Sequence, residues 1–345
     1  MIDLRSDTVT RPTSEMRQAM AEADVGDDVY GEDPTVNHLQ EVAADLLGTE
    51  ETLFVPSGTM ANQICLRVLT APGDEVILDR SSHVFNYESG ASGMLSGVQL
   101  NPIDTADGKL TADRVEAAIR PDMAVYARTR VVSLENTANK AGGVVYSLDE
   151  VHDVAQVVRT HGLRFHLDGA RLWNASVALD VPIDALVSPF DIAWVALSKG
   201  IGAPVGSLIA GTSDLIGQAR RVRKQLGGGM RQSGVLAAAA LVGLDGYRER
   251  LARDHANARR IAEAVAQIDA FDLDLNRVQT NILIFDVPDG RAEEVIKTLA
   301  EHDVHVTPFG PQTVRITTHR DLSDADIDAT VRAIREAFST VSVAT

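Results

Sequence analysis

Lys199 is one of five lysines among the thirty-two basic residues of the chain. It closes the apolar run "DIAWVALSK", where a charged amine is costly to bury. Burial disfavours the ammonium form and lowers its pKa. A neutral amine can attack a carbonyl and form a Schiff base. A lysine reaching from a strand end to water fits the same position, so the residue needs partners before it carries an argument. Asp168 ends another apolar run, "RFHLD", and Arg171 follows three residues on. Alone, this pair reads equally as a structural ion pair or as working groups. His83 follows the run "DEVILD" in "RSSHVFNYE", and a lone histidine is more often structural than catalytic. Ser57, Gly58 and Thr59 in "VPSGTMAN" follow a fourth run and open a helix. The free N–H groups and dipole there suit an anion such as phosphate, and suit a simple N-cap as well.

Taken together, the four places match one cofactor. Pyridoxal phosphate needs a Schiff-base lysine, a carboxylate for its ring nitrogen and a cradle for its phosphate. Lys199, Asp168 and the Ser57–Thr59 turn supply these, and the His83 imidazole can stack on the ring. Gly200 and Gly202, beside the lysine, are expected to leave room for a flat ring and a bound substrate. The spacing at Ser57 is neither GxGxxG nor GxxxxGK[ST], so nucleotide fingerprints do not apply.

The elements that must position these residues alternate. From about residue 50 to 210, the apolar runs "ETLFV", "DEVILD", "RVVSLEN", "RFHLDGA", "DIAWVALS" and "VGSLIAG" alternate with helical patterns. In "SLDEVHDVAQVVRTHG", Ser147 and Glu150 have capping-box spacing, and Val151, Val154, Ala155 and Val158 share a face. This order predicts an α/β fold with a mostly parallel central sheet covered on both sides. Ligands in such sheets bind beyond the carboxyl ends of the strands, where all four places fall. After about residue 243 the pattern changes. A long helix carries Leu251, Ala258, Ile261, Ala262 and Val265 on one stripe. The strands "NILIFDV" and "TVRITT" follow, and a last helix presents Ile327, Val331, Ile334 and Phe338. The expected division is an arm and large cofactor-binding domain over 1–245, and a small C-terminal α+β domain over 246–345.

The bulk composition narrows the partners. A net charge of −17 argues against nucleic acid or an anionic membrane as the main partner. No run of about 18 uncharged apolar residues is present to span a membrane, and the N-terminus lacks a signal-peptide pattern. The expected setting is the cytoplasm. Cys65 is the single cysteine and lies in the apolar run "ANQICLRVL", which favours a buried structural thiol. No metal-type Cys/His spacing appears, so no metal is expected.

The sequence resembles the L-threonine aldolases, within the fold-type-I pyridoxal-phosphate enzymes, which have an aspartate-aminotransferase-like large domain. The resemblance runs nearly the whole chain and rests on "MIDLRSDTVTRPT", "VGDDVYGEDPTVN", "PSGTMANQ", "SLENT", "HLDGARLWNA", "LSKGIGAPVGS", "GGGMRQSG" and "VRITTH". It implies retro-aldol cleavage of L-threonine, L-allo-threonine and other β-hydroxy-α-amino acids to glycine and an aldehyde. Lys199 would be the Schiff-base lysine, Asp168 the ring-nitrogen partner and His83 the stacking imidazole. Arg171 would lie near the cofactor's phenolic oxygen and the substrate carboxylate. Gly58 and Thr59 would hold the phosphate, and Ser6 and Arg315 the carboxylate. Arg231 would reach a cofactor phosphate from a neighbouring subunit of a homotetramer with sites at its interfaces.

The sequence departs from the family at one position. Some relatives carry a histidine two residues before "ART", thought to touch the substrate hydroxyl. Here "AVYARTR" places Val125 there, which puts in question the base and the preference between threonine and allo-threonine. His83 and Tyr87 are the local candidates to compensate. The competing activities on the same fold are those of a β-eliminating lyase, a serine hydroxymethyltransferase and an aminotransferase.

Overall fold

A computed structural model describes residues 1–287 and 291–338. Its strands, in chain order, are β1 (Ile2–Asp3), β2 (Glu51–Val55), β3 (Asp74–Asp79), β4 (Gln99–Ile103), β5 (Arg128–Glu135) and β6 (Arg164–Gly169). They continue with β7 (Ile192–Ala196), β8 (Ser207–Gly211), β9 (Ile282–Asp286), β10 (Val304–His305), β11 (Thr307–Pro308) and β12 (Thr313–Thr317). Seven of them form one sheet in the order β2-β8-β7-β6-β5-β3-β4. Only β8 runs against its neighbours. This is the mostly parallel sheet that the alternating pattern predicts. Its inner strands are buried along almost their whole length, as helices on both faces require.

Local sequence explains the helices that flank it. The helix Leu148–Thr160 has the expected capping box: the Glu150 backbone N–H donates to Ser147 Oγ at 3.2 Å, and the Ser147 N–H donates to Glu150 Oε2 at 2.8 Å. Val151, Val154, Ala155 and Val158 face Phe165 and Val132 in the core beneath it. The helix Gly58–Leu69 packs on the opposite face of the sheet, against Val76, Leu78 and Val131, and buries Ala61, Ile64, Cys65 and Leu66. Cys65 is thus the buried thiol expected.

A second, antiparallel sheet has the order β11-β12-β9, and β1 pairs in parallel with β10 beside it. Leu4, just after β1, is buried among Ile261, Leu283 and Val304, so the N-terminal arm is anchored on the C-terminal part of the chain. The helix Tyr247–Val265 links the two cores. Tyr247 and Leu251 lie in the large core, and Ala258, Ile261 and Val265 lie in the small one.

Candidate active site

The parallel direction of β2, β3, β5, β6 and β7 brings their carboxyl ends to one edge. There the turns carrying Ser57, His83, Glu135, Asp168 and Lys199 meet. Asp168 forms the floor, only 2% exposed. Its carboxylate accepts from Asn62 Nδ2 at 2.7 Å and from the Ala170 N–H at 3.1 Å. The same Asn62 Nδ2 donates to Glu88 Oε1 at 2.7 Å, and Asn62 Oδ1 accepts from the Trp194 indole at 2.6 Å. Gln63 Nε2 donates to Glu88 Oε2 at 2.7 Å, and Glu88 Oε1 lies 2.8 Å from His83 Nδ1. A carboxylate only accepts, so Nδ1 carries a proton, and in the neutral ring Nε2 is the free nitrogen. Burial pulls the His83 pKa down. The Glu88 hydrogen bond and the charges of Asp168, Glu88 and Glu135 outweigh it, so the ring titrates above its ordinary value.

Lys199 follows β7 with its Nζ 6.0 Å from the centre of the Trp194 ring. Burial, reinforced by the neighbouring Arg171 guanidinium, lowers its pKa to about 8 against the pull of Asp7, Asp168 and Glu135. The amine is therefore substantially neutral near pH 8, as a carbonyl-attacking lysine needs. Trp194 also fixes the start of the helix at Gly58. A Cβ at Gly58 would lie 2.5 Å from the indole Cη2, so the close approach of the turn to the site requires glycine. Ser57 caps this helix, with its Oγ accepting from the Met60 N–H at 3.2 Å. The Gly58 and Thr59 N–H groups thus remain at a helix start, close to the Trp194 ring that Lys199 also approaches.

The opposite wall is basic. Arg171 donates through Nε and Nη2 to both oxygens of Asp7, at 2.8 and 2.7 Å, with both side chains buried. Burial raises the Asp7 pKa, but this fork more than offsets it and holds the carboxyl at about 2. Arg171 Nη1 and Arg315 Nη1 both reach Asn139 Oδ1, at 3.3 and 3.2 Å. Arg315 also donates to the Arg5 carbonyl at 3.0 Å and stacks over Phe309. Its Nε is buried without a partner. Burial and the nearby Arg171 push Arg315 down to about 10. Ser6 stands beside Asp7, its Oγ accepting from the Thr8 N–H and hydroxyl. Glu135 ties the two walls together, accepting from the backbone N–H groups of His83 at 2.6 Å and Asn139 at 2.9 Å. Burial and the Asp168 charge lift Glu135 to about 7.

One expectation is corrected. Gly200 and Gly202 do not clear space for a ring. A Cβ at Gly200 would lie 2.6 Å from Leu251, and one at Gly202 (φ +83°) would lie 2.4 Å from Arg320. These glycines accommodate the chain's own packing. Val125 lies three residues before β5, at the amino edge of the sheet, and is 78% exposed. Glu135 ends that strand, which is eight residues long and so separates its two ends by about 23 Å at about 3.3 Å per residue. Within one chain Val125 is remote from His83. Arg231 is also outside the cluster, paired on the surface with Asp27 at 2.9 Å.

Sequence reasoning missed Asp7, Asn62, Glu88, Glu135 and Asn139. Glu135 follows an apolar run just as Asp168 does, so the same rule finds it. Asp7 adjoins Ser6 in "RSDT", but nothing local ties it to Arg171, 164 residues away.

The site suits pyridoxal phosphate on its own geometry. It has a partly neutral lysine, a buried carboxylate behind it, an imidazole with a fixed tautomer and a helix start that a side chain would block. The sheet order and these residues define an α/β protein of the fold-type-I pyridoxal-phosphate class. A solved structure of Leishmania major threonine aldolase superposes with a TM-score of 0.85 at 20% identity, over 97% of this chain and 99% of that one. In sequence, the chain is 42% identical to low-specificity L-threonine aldolase 1 of Arabidopsis thaliana, covering 99% of this chain and 97% of that one. It is 43% identical to low specificity L-threonine aldolase of Escherichia coli (strain K12), over 94% and 95%. Residues 3–288 match the beta-eliminating lyase family, and the chain belongs to that family.

Proposed function

We propose that the protein is a pyridoxal-phosphate-dependent aldehyde-lyase. It cleaves L-threonine, L-allo-threonine and other L-β-hydroxy-α-amino acids to glycine and an aldehyde, as the names of its relatives suggest. The observation that carries this reading is the pairing of Lys199 and Asp168, on adjacent strand ends, with an arginine pair across the cleft. Bound pyridoxal phosphate would supply the electron sink for carbon–carbon cleavage. Lys199 would hold its aldehyde carbon, Asp168 its ring nitrogen, and Ser57, Gly58 and Thr59 its phosphate. His83 would cover its ring.

The chain's own residues then account for the rest. Arg315, with a free Nε, takes the substrate carboxylate, and Ser6 supports it from the arm. Arg171 is largely occupied by Asp7, so it contributes mainly position and charge. Two guanidinium planes fix a carboxylate in one orientation, which sets the bond to be broken. His83 Nε2, or a water it holds, takes the β-hydroxyl proton. The ring can do so because Glu88 keeps the proton on Nδ1. No side chain at Val125 is needed for that step.

Arg231 is proposed to serve a neighbouring subunit's phosphate in a cytoplasmic homotetramer. Its side chain is 55% exposed, which leaves it available for such a contact. Among the described residues, no helix is long and apolar enough to cross a membrane.

Aldehyde release from L-threonine, L-allo-threonine, L-phenylserine and L-serine tests the reading, with glycine as co-product. Ammonia with a keto acid, or amino-group exchange, would replace it by a β-eliminating or transaminating activity. Lys199→Ala should abolish turnover and the yellow colour of the holoenzyme. Normal turnover by that variant would remove Lys199 from its role.

A further inference from the structure

Asn139 is the only side chain that touches both arginines of the carboxylate wall among the described residues. Its Oδ1 lies 3.3 Å from Arg171 Nη1 and 3.2 Å from Arg315 Nη1. Arginine has donors and no acceptor, so the atom facing both must be the amide oxygen. The two guanidinium groups repel one another, and burial sharpens that repulsion. Arg171 is compensated by Asp7, whereas Arg315 has no carboxylate partner and keeps a buried, unpartnered Nε. The wall is short of one acceptor group. A carboxylate has the two oxygens and the charge that would complete it.

The placement of Asn139 is itself fixed. Its backbone N–H donates to Glu135 Oε1 at 2.9 Å, at the end of β5. It starts the short turn Asn139–Ala141. Both hydrogen bonds that its oxygen accepts from the arginines are long, and they join charged donors to a neutral acceptor. Such bonds are weaker than those that an anion makes with the same donors.

We propose that Asn139 is a positioning and specificity-determining residue: its neutral oxygen holds Arg171 and Arg315 together in the free site and yields them to the substrate's α-carboxylate. This rests on the carboxylate-binding role given above to Arg315. An aspartate here would be an internal carboxylate that the substrate must displace. An alanine would leave the cations unheld. In both cases the effect falls on binding of the amino acid, because the residue does not reach Lys199 or Asp168 by any hydrogen bond of the described residues.

The test compares holoenzyme of the parent, Asn139→Asp and Asn139→Ala. Glycine binding is measured by calorimetry, and kcat and KM are measured with L-threonine. Asn139→Asp should weaken glycine binding and raise KM about tenfold, the difference between a charge-assisted and a neutral pairing. Asn139→Ala should raise the Kd for glycine and the KM about threefold to fivefold, the loss of one modest hydrogen bond. In each, kcat should stay within about threefold of the parent. Unchanged glycine affinity in Asn139→Asp overturns the proposal, as does an equal effect from both variants, which would mean that shape alone matters. If Asn139→Asp does not fold, unchanged glycine affinity in Asn139→Ala overturns it. Glycine binding needs no turnover, so failure of the parent to release aldehyde would refute the aldolase reading and leave this comparison decisive.

Discussion

Replacing Gly58 by alanine adds one methyl group where the chain has no room. The new Cβ would sit 2.5, 2.8 and 3.4 Å from Cη2, Cζ3 and Cζ2 of Trp194. Carbon–carbon contacts are comfortable at about 3.5–4.0 Å, so either the helix start or the indole must move by about 1 Å. The indole is 2% exposed and pinned by its hydrogen bond to Asn62 Oδ1. Moving it drags the amide that links Asp168 to Glu88. Moving the helix start shifts the proposed phosphate cradle. Overpacking of this kind costs about 1–3 kcal/mol, and a 1 Å displacement of a positioning group can lower turnover up to about 100-fold. The assays are urea unfolding at fixed protein concentration and titration of the cofactor-free protein with pyridoxal phosphate. Gly58→Ala should lose stability and cofactor affinity together. Trp194→Leu supplies the control, since it removes the ring that the methyl strikes. In that background Gly58→Ala should cost at least about 1 kcal/mol less, a coupling expected only of groups in contact. Additive costs in the double variant, or parental affinity in Gly58→Ala, would refute the packing argument.

Two further outcomes follow from the buried charges. Asp7→Asn leaves the Arg171 guanidinium buried without its carboxylate and should cost about 3–5 kcal/mol at pH 7; parental stability to urea would contradict the pairing. Asp7 titrates at about 2 when folded against an ordinary 3.8, so its contribution is present above about pH 4 and the gap between parent and variant should narrow as pH falls from there towards 2. Glu88→Gln replaces the charged acceptor at His83 Nδ1 by a weaker neutral amide oxygen and removes one of the charges that raise the ring's pKa. The acid limb of the kcat/KM profile should move to lower pH, and the His83 ring nitrogen signals of the cofactor-free protein should show the same downward shift. An unmoved titration would detach Glu88 from His83.

How far the sequence revealed this site depended on whether a residue's signal is local. Lys199, Asp168 and His83 were legible because each is a polar residue ending or just following an apolar run, and parallel strands bring such ends to one edge. The sheet was legible for the same reason, and the capping box at Ser147 fixed one helix start. Asp7 and Arg315 come from the two ends of the chain. They meet only because β1 pairs with β10 and β12 carries Arg315 alongside, a tertiary fact that no local pattern encodes. Family resemblance supplied Arg315, and nothing supplied Asp7. Gly200 and Gly202 were misread for a related reason. A glycine announces that something is close, and only the fold tells that Leu251 and Arg320, rather than a ligand, are what is close.

The two asparagines do opposite versions of one task. Asn62 points its amide nitrogen at two carboxylates, Glu88 and Asp168, with one hydrogen for each at 2.7 Å. Asn139 points its amide oxygen at two guanidiniums, Arg171 and Arg315. Each neutral amide lies between two like charges that would otherwise repel across a buried gap. A charged bridge would bind them more strongly, but it would also add a charge to a site where Lys199 must stay partly neutral and His83 must keep one tautomer. An apolar bridge would leave buried donors or acceptors unpaired. An amide satisfies hydrogen bonds without changing the net charge, and its weaker bonds to the arginines can be exchanged for those of a substrate. The two differ in exchangeability. The Asn62 bonds are short and fully buried, so the cofactor side should remain fixed through turnover. The Asn139 bonds are long and partly exposed, so the substrate side should be the one that rearranges.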